Sequence, residues 1–129
     1  MKKFISIVPR WFPSFFFMLV IFAFSAQPGD DLPYFLGWDF FAKKAGHVIG
    51  YGLLTLSYLY FLKDDKKRYW LAWCMAIWYS TTDEIHQFFV FGRHASIYDV
   101  VIFDNLGALM ALWLHFKVWR KDEEKTNQT

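Results

Sequence analysis

Four long apolar runs set the limits on what this chain can fold into. They cover residues 11–26, 46–62, 69–79 and 100–116, and short polar stretches divide them. None shows the strict alternation of a barrel strand, so each reads as a helix. Hydrophobic residues make up 56% of the 129 positions, and they include 16 Phe and 7 Trp. A water-soluble domain of that size has too little interior to hide them, whereas a bilayer does not need to. The predicted fold is an all-α membrane protein, an antiparallel bundle of four transmembrane helices in one domain. Gly46, Gly50 and Gly52 in the second run, and Gly107, Ala108 and Ala111 in the fourth, are small enough to let helices touch.

The basic residues orient the bundle. Lys2, Lys3 and Arg10 precede or open the first run, four more fall in residues 63–68, and four in the tail from Lys117. Lys43, Lys44 and Arg93 fall on the other side, which makes eleven against three. The positive-inside rule therefore predicts both termini in the cytoplasm. The expected layout is a cytoplasmic segment 1–10, a membrane domain 11–116 and a charged cytoplasmic tail 117–129, disordered from Lys121 onward. The first run also has features of a signal peptide, with a cleavage site at Ala23-Phe24-Ser25; either reading keeps the orientation. The connection 27–41 mixes the breakers Pro28, Gly29, Asp30, Asp31, Pro33 and Gly37 with Tyr34, Phe35, Trp38, Phe40 and Phe41, a mixture that suits the headgroup zone. Cys74 is the one cysteine, so an internal disulfide and a Cys-based zinc finger are both excluded.

Ionisable groups beside such runs are expensive, and therefore informative. At about 1.5 Å per residue, Asp83 lies about 22 Å above Arg68, and His47 about 24 Å above Lys63. Asp104 and Asp99 lie about 20 Å and 27 Å above Lys117. With a hydrocarbon core of about 30 Å, all four reach its outer third, from three different helices. That coincidence predicts one recessed polar pocket on the extracytoplasmic side. Lys43, His47 and Tyr51 form a stripe at i, i+4 and i+8. Asp83 can meet His86 at i+3 and Gln87 at i+4. Glu84 points about 100° away from Asp83, so the two carboxylates face different neighbours unless the helix ends there.

Lys44-x-x-His47-x-x-x-Tyr51, Asp83-Glu84-x-x-Gln87-x-Phe89, Gly92-Arg93, Ser96-x-x-Asp99-Val100 and Asn105-x-Gly107, in that order, resemble the VanZ-like family over about residues 10–116. The family comprises small bacterial multi-pass membrane proteins, and its founding member is linked to low-level resistance to the glycopeptide teicoplanin. The resemblance implies a fold and a bacterial plasma- or inner-membrane location more than it implies a reaction. The chain departs from the pattern at Phe103, where a polar residue is expected one turn past Asp99. Either Asp104 or Asn105 then fills that role.

Asp83 and Glu84 read as a general base or a metal-binding pair, and His47 as a proton donor or the group that orients a carboxylate. The plain alternative is a solvated helix end whose acids pair with Arg93 or with Lys43 and Lys44. Arg93 with Lys44 reads as a clamp for a phosphate or carboxylate; an ion pair to Asp99 or Glu84 is the alternative. Tyr51, Gln87, Ser96, His86, Asp99, Asp104 and Asn105 complete the expected ligand-binding set, although interhelical hydrogen bonds account equally for Tyr51, Gln87 and Asn105. His94 and His115 read as structural or interfacial. His47 and His86 with Asp83, Glu84 and Asp99 offer the donors of a divalent metal site, but no helix carries a His-x-x-x-His or comparable ligand pair, so no metal and no other cofactor is expected. A Ser-His-Asp spacing, a Gly-rich phosphate loop and a dinucleotide fingerprint are all missing, and the topology accounts for the basic residues without nucleic acid. The expected ligand is a membrane lipid or lipid-linked cell-envelope precursor with an anionic head, with catalysis left open. The alternative is a non-catalytic scaffold or binding subunit whose polar cluster locks the helices together.

Overall fold

Each apolar run lies in a helix in the computed structural model, which describes residues 7–29 and 36–128. Lys2, Lys3, Asp30, Asp31, Pro33, Tyr34 and Phe35, used above for topology and for the first connection, lie outside the described residues. Among the described residues there is no strand, and four long helices carry the fold. Helix α1 spans Phe12–Ser25, with Pro13 in its first turn, where a missing N–H breaks no helical bond. Helix α2 spans Asp39–Phe61 and so begins well before Gly46. Asp39 in its first turn suits the positive end of the helix dipole and pairs with Lys43 at 2.7 Å. The chain then reverses through Lys63 and Asp64, both at positive φ, and Asp65 caps a short turn by accepting from the Lys67 N–H at 2.9 Å.

Helix α3 spans Tyr69–Phe88, running straight through the polar residues 80–87. A loop follows, and then a six-residue π-turn, Asp99–Asp104, that leads directly into helix α4, Asn105–Thr126. The expected disorder from Lys121 is not observed: α4 continues to Thr126. Lys and Glu are good helix formers, and Arg120 reaches Glu124 one turn on, at 3.4 Å.

The helices alternate in direction, and their end contacts show it. At one end Arg10 donates to the Tyr60 carbonyl at 3.1 Å, Tyr69 meets His115 at 2.6 Å, and the Lys66 ammonium lies over the Trp119 ring. The segment leading into α1, the later part of α4 and the 63–68 turn therefore share that end. At the other end Gly29 donates its N–H to the Phe91 carbonyl at 3.1 Å. A Cβ on Gly29 would fall 1.8 Å from the Gly92 oxygen, so a side chain there would push α1 off the α3–π-turn loop. Helix α2 touches all three other helices, and its contact with α4 is the most extensive. There the backbones meet. A Cβ on Gly107 would lie 2.2 Å from the Val48 oxygen, and one on Gly52 would lie 3.2 Å from the Gly107 oxygen. Gly46, also expected at a contact, faces open space.

The distribution of side chains inverts that of a water-soluble domain. Leu54, Leu59, Ala72, Ala76 and Ala108 form the apolar centre, and Thr55, Ser80, Asp83, Glu84 and Asp104 are buried with them. Large apolar groups cover the outside instead: Trp78 is 75% exposed and Phe88 73%. The continuous helical stretch Asp99–Thr126 is long and apolar enough to cross a membrane, and α1 is a shorter apolar helix. Besides the Tyr69–His115 contact, a polar tie crosses between α3 and α4 from Trp73 Nε1 to Asn105 Oδ1 at 2.7 Å. Replacing Asn105 with alanine is expected to cost about 1 kcal/mol, read as a lower melting temperature in detergent; an unchanged melting temperature would show the tie to be idle.

Candidate functional site: a polar pocket between α1, α2 and α3

On α3 the residues Ser80, Asp83, Glu84 and Gln87 fall at i, i+3, i+4 and i+7, which is one helical face, and all four are buried. Asp83 Oδ2 accepts from Ser25 Oγ at 2.7 Å, Tyr51 OH at 3.1 Å and Gln87 Nε2 at 3.1 Å. Gln87 Nε2 also reaches Ser25 Oγ at 3.2 Å. One carboxylate thus gathers donors from α1, α2 and α3. Ser25 was not among the expected site residues. Its signal is its spacing: Ser14 and Ser25 are eleven residues apart, close to three full turns, and both are buried on the inner face of α1.

Glu84 turns away from Asp83, as its rotation on the helix requires. Its Oε2 accepts the Ser96 N–H at 2.9 Å, and its Oε1 is buried with no hydrogen-bond partner among the described residues. Across from it stand the two acids of the π-turn. In an α-helix, residues five apart diverge by more than a third of a turn. The wider π-turn, with its i→i+5 bonds, brings Asp99 and Asp104 to one side. His47 Nδ1 lies 2.8 Å from Asp104 Oδ1, and Ser80 Oγ donates to Asp104 Oδ2. An ionised carboxylate accepts, so Nδ1 carries a proton, and in the neutral ring Nε2 offers its lone pair. That Nε2 lies 3.9 Å from Asp99 Oδ2. Lys44 pairs with Asp99 Oδ1 and sits over the rings of Phe40 and Phe103, at 5.5 Å and 5.2 Å. One donor atom each of His47, Glu84 and Asp99 lies within 4.8 Å of the others, a grouping able to hold a metal ion.

Beside these groups is a cavity of about 640 Å³. Val20, Ile21, Phe24 and Ile49 line part of it, while Lys44, His47, Tyr51, Asp83, Gln87, Arg93 and Asp99 line the rest. Arg93 Nε is buried and has no hydrogen-bond partner among the described residues. His94, read from sequence as structural or interfacial, is also on the wall. Lys43 belongs to the wall as well, but its ammonium is engaged by Asp39.

Two expected site residues lie apart. His86 does not bond to Asp83; its ring packs on Phe22 with centroids 4.7 Å apart, because i+3 carries it round to the α1 side. Asn105 is occupied by Trp73, and it is Asp104 that enters the His47 cluster. Phe103 stands at i+4 from Asp99, but the π-turn adds one residue, so the next group facing inward is at i+5.

The family model described as VanZ/LLP1 matches residues 4–120 of the chain. No curated protein and no solved structure matches it.

Proposed function

The chain belongs to the VanZ/LLP1 family, and from that premise we propose that it is a multi-pass protein of the bacterial plasma or inner membrane whose cavity binds the anionic head of an amphiphile. A lipid-linked cell-envelope precursor is the class of ligand that fits. The four helices are the spans, with both termini and the 63–68 turn cytoplasmic and the cavity in the extracytoplasmic half. The aromatic and aliphatic side chains on the outside of the bundle support this reading, since lipid is the solvent that tolerates them.

The observation that carries the proposal is Arg93. Its Nε is buried, it lies on the wall of a mostly apolar cavity, and no acceptor among the described residues meets that atom. A buried, charged N–H without an acceptor is costly, and a phosphate or carboxylate relieves that cost with charge-assisted bonds. The apolar wall from α1 and α2 suits the lipid portion, and a volume of about 640 Å³ is that of a small-molecule site. Arg93 and Lys44 hold the head, with Lys44 released from Asp99 as the ligand arrives. Asp83, Glu84 and His47 are the groups placed for any proton transfer. Tyr51, Gln87, Ser96, Asp99 and Asp104 hold those groups in position.

Native mass spectrometry on protein in native-lipid discs tests this. The native chain is expected to carry a bound anionic amphiphile, and Arg93→Ala to lose it by tenfold or more in occupancy while remaining equally abundant in the membrane. The same amphiphile at the same occupancy in both would defeat the reading. A role in resistance to teicoplanin-type glycopeptides belongs to the same proposal: any rise in inhibitory concentration given by the native chain should disappear with Arg93→Ala.

A second reading has its own support. Asp83 collects donors from three helices, and Ser80, Asp104 and His47 link α3, the π-turn and α2, which is what a non-catalytic scaffold would need. On that reading Asp83→Asn lowers the melting temperature and abundance, and the amphiphile bound per folded molecule is unchanged.

A further inference from the structure

His47, Glu84 and Asp99 come from α2, α3 and the π-turn, yet one donor atom of each lies within 4.8 Å of the other two. The way each is held sets them apart from a chance cluster of charges. His47 gives its Nδ1–H to Asp104, at 2.8 Å, which leaves the Nε2 lone pair unused. Asp104 is itself fixed by Ser80 Oγ. Asp99 takes Lys44 on Oδ1 and keeps Oδ2 on the His47 side, 3.9 Å from Nε2. Glu84 takes the Ser96 N–H on Oε2. Its Oε1 is buried without a hydrogen-bond partner among the described residues, on a side chain whose residue is 7% exposed. Each of the three has one polar atom anchored and another available. A buried carboxylate oxygen with nothing to accept is unfavourable, and a cation answers it.

We propose that His47, Glu84 and Asp99 bind a divalent transition-metal ion, with Asp104 as the carboxylate that orients His47. A carboxylate behind a ligating imidazole is the usual outer support of such ions. One nitrogen and two carboxylate oxygens suit Zn²⁺ or Mn²⁺. With bonds of about 2.1 Å the three donors draw together by about 1.5 Å. Charge agrees with this. Ionised Glu84, Asp99 and Asp104 face the Lys44 ammonium and a neutral His47, which leaves two negative charges for a divalent ion to balance. Since His47 and Asp99 line the cavity, the ion keeps an open position toward it. An oxyanion held by Arg93 could take that position, so the ion extends the proposed ligand reading without depending on it.

The test uses the full-length protein in detergent, stripped with a chelator, with no lipid added and Mn²⁺ titrated by electron paramagnetic resonance. About one ion per chain should bind, Zn²⁺ should displace it, and pulsed spectra should show nitrogen coupling from one imidazole. Glu84→Gln keeps the side-chain shape and should weaken binding by about a hundredfold or more, and Asp104→Asn by about ten- to a hundredfold. The melting temperature of each variant with and without metal confirms folding and should show metal stabilisation in the native chain only. No saturable binding tighter than about 1 mM for either ion would overturn the proposal. Binding without nitrogen coupling would do the same, and that readout needs no variant to fold. So would an unchanged affinity in folded Glu84→Gln. Any of these results would leave the Arg93 amphiphile measurement standing on its own.

Discussion

Gly107→Val is expected to leave little or no folded protein. The added Cβ would lie 2.2 Å from the Val48 oxygen, 2.9 Å from its carbonyl carbon and 3.0 Å from its Cα. All three are backbone atoms in the middle of α2, so no rotamer change can make room. Helix α2 would have to move off α4, and that contact is the largest in the bundle. Overpacking a core ordinarily costs about 1–3 kcal/mol, with flexible side chains absorbing part of it. Here the collision is with backbone, so a cost above about 3 kcal/mol is expected, a large part of a typical total of about 5–15 kcal/mol. Gly46→Ala is the control. It meets nothing within 4 Å and should be neutral or stabilising by up to about 1 kcal/mol. Size-exclusion profiles and melting temperatures of both variants, expressed side by side, decide it. A Gly107→Val protein that elutes as a single peak and melts within a few degrees of the native chain would show that the helices do not touch there.

The second large effect is expected at Asp104, which is 1% exposed. Alanine at this position strands buried Ser80 Oγ and part-buried His47 Nδ1 together. Each buried donor left unpaired costs about 1–3 kcal/mol, so Asp104→Ala should lose about 3–5 kcal/mol. Asp104→Asn keeps an acceptor oxygen for one of the two donors and should lose roughly half as much. The order of melting temperatures should therefore be native, then Asn, then Ala. If Ala and Asn fall together, charge matters at this site rather than hydrogen bonding. If both match the native chain, the Ser80–Asp104–His47 link has no structural weight.

Much of the arrangement could be read from residue spacing. The depths counted from the basic residues expected in the cytoplasm put His47, Asp99 and Asp104 at similar levels, and the structure brings them into a single cluster. The divergence of Asp83 and Glu84 followed from 100° per residue, and the two bind separate partners. What the spacing could not give was any departure from 3.6 residues per turn. Asp99 and Asp104 share a face only because the helix widens between them, and Phe103 gives no local sign of that. The same widening separates Asp104 from Asn105, two adjacent polar residues that the sequence leaves equivalent. The Glu84–Asp99–His47 grouping was within the sequence's candidate metal set but was set aside, because its members lie on three elements and ligand-pair patterns on a single helix cannot support it. Ser25 entered the sequence reading only as part of a candidate cleavage site, and its role as a donor to Asp83 depends on a partner 58 residues away. Helix α4 outran its expected end because charged residues favour helix as readily as they favour solvent.

Helix α1 is short. Its 14 residues rise about 21 Å, against about 30 Å of hydrocarbon in an ordinary bilayer. If α1 spans the bilayer as proposed, a membrane meeting that flank would thin locally, and its headgroups would dip on the side where Val20, Ile21 and Phe24 wall the cavity. An amphiphile in the dimpled leaflet would then already be level with the cavity wall, and could glide in sideways with its acyl chains still among their neighbours.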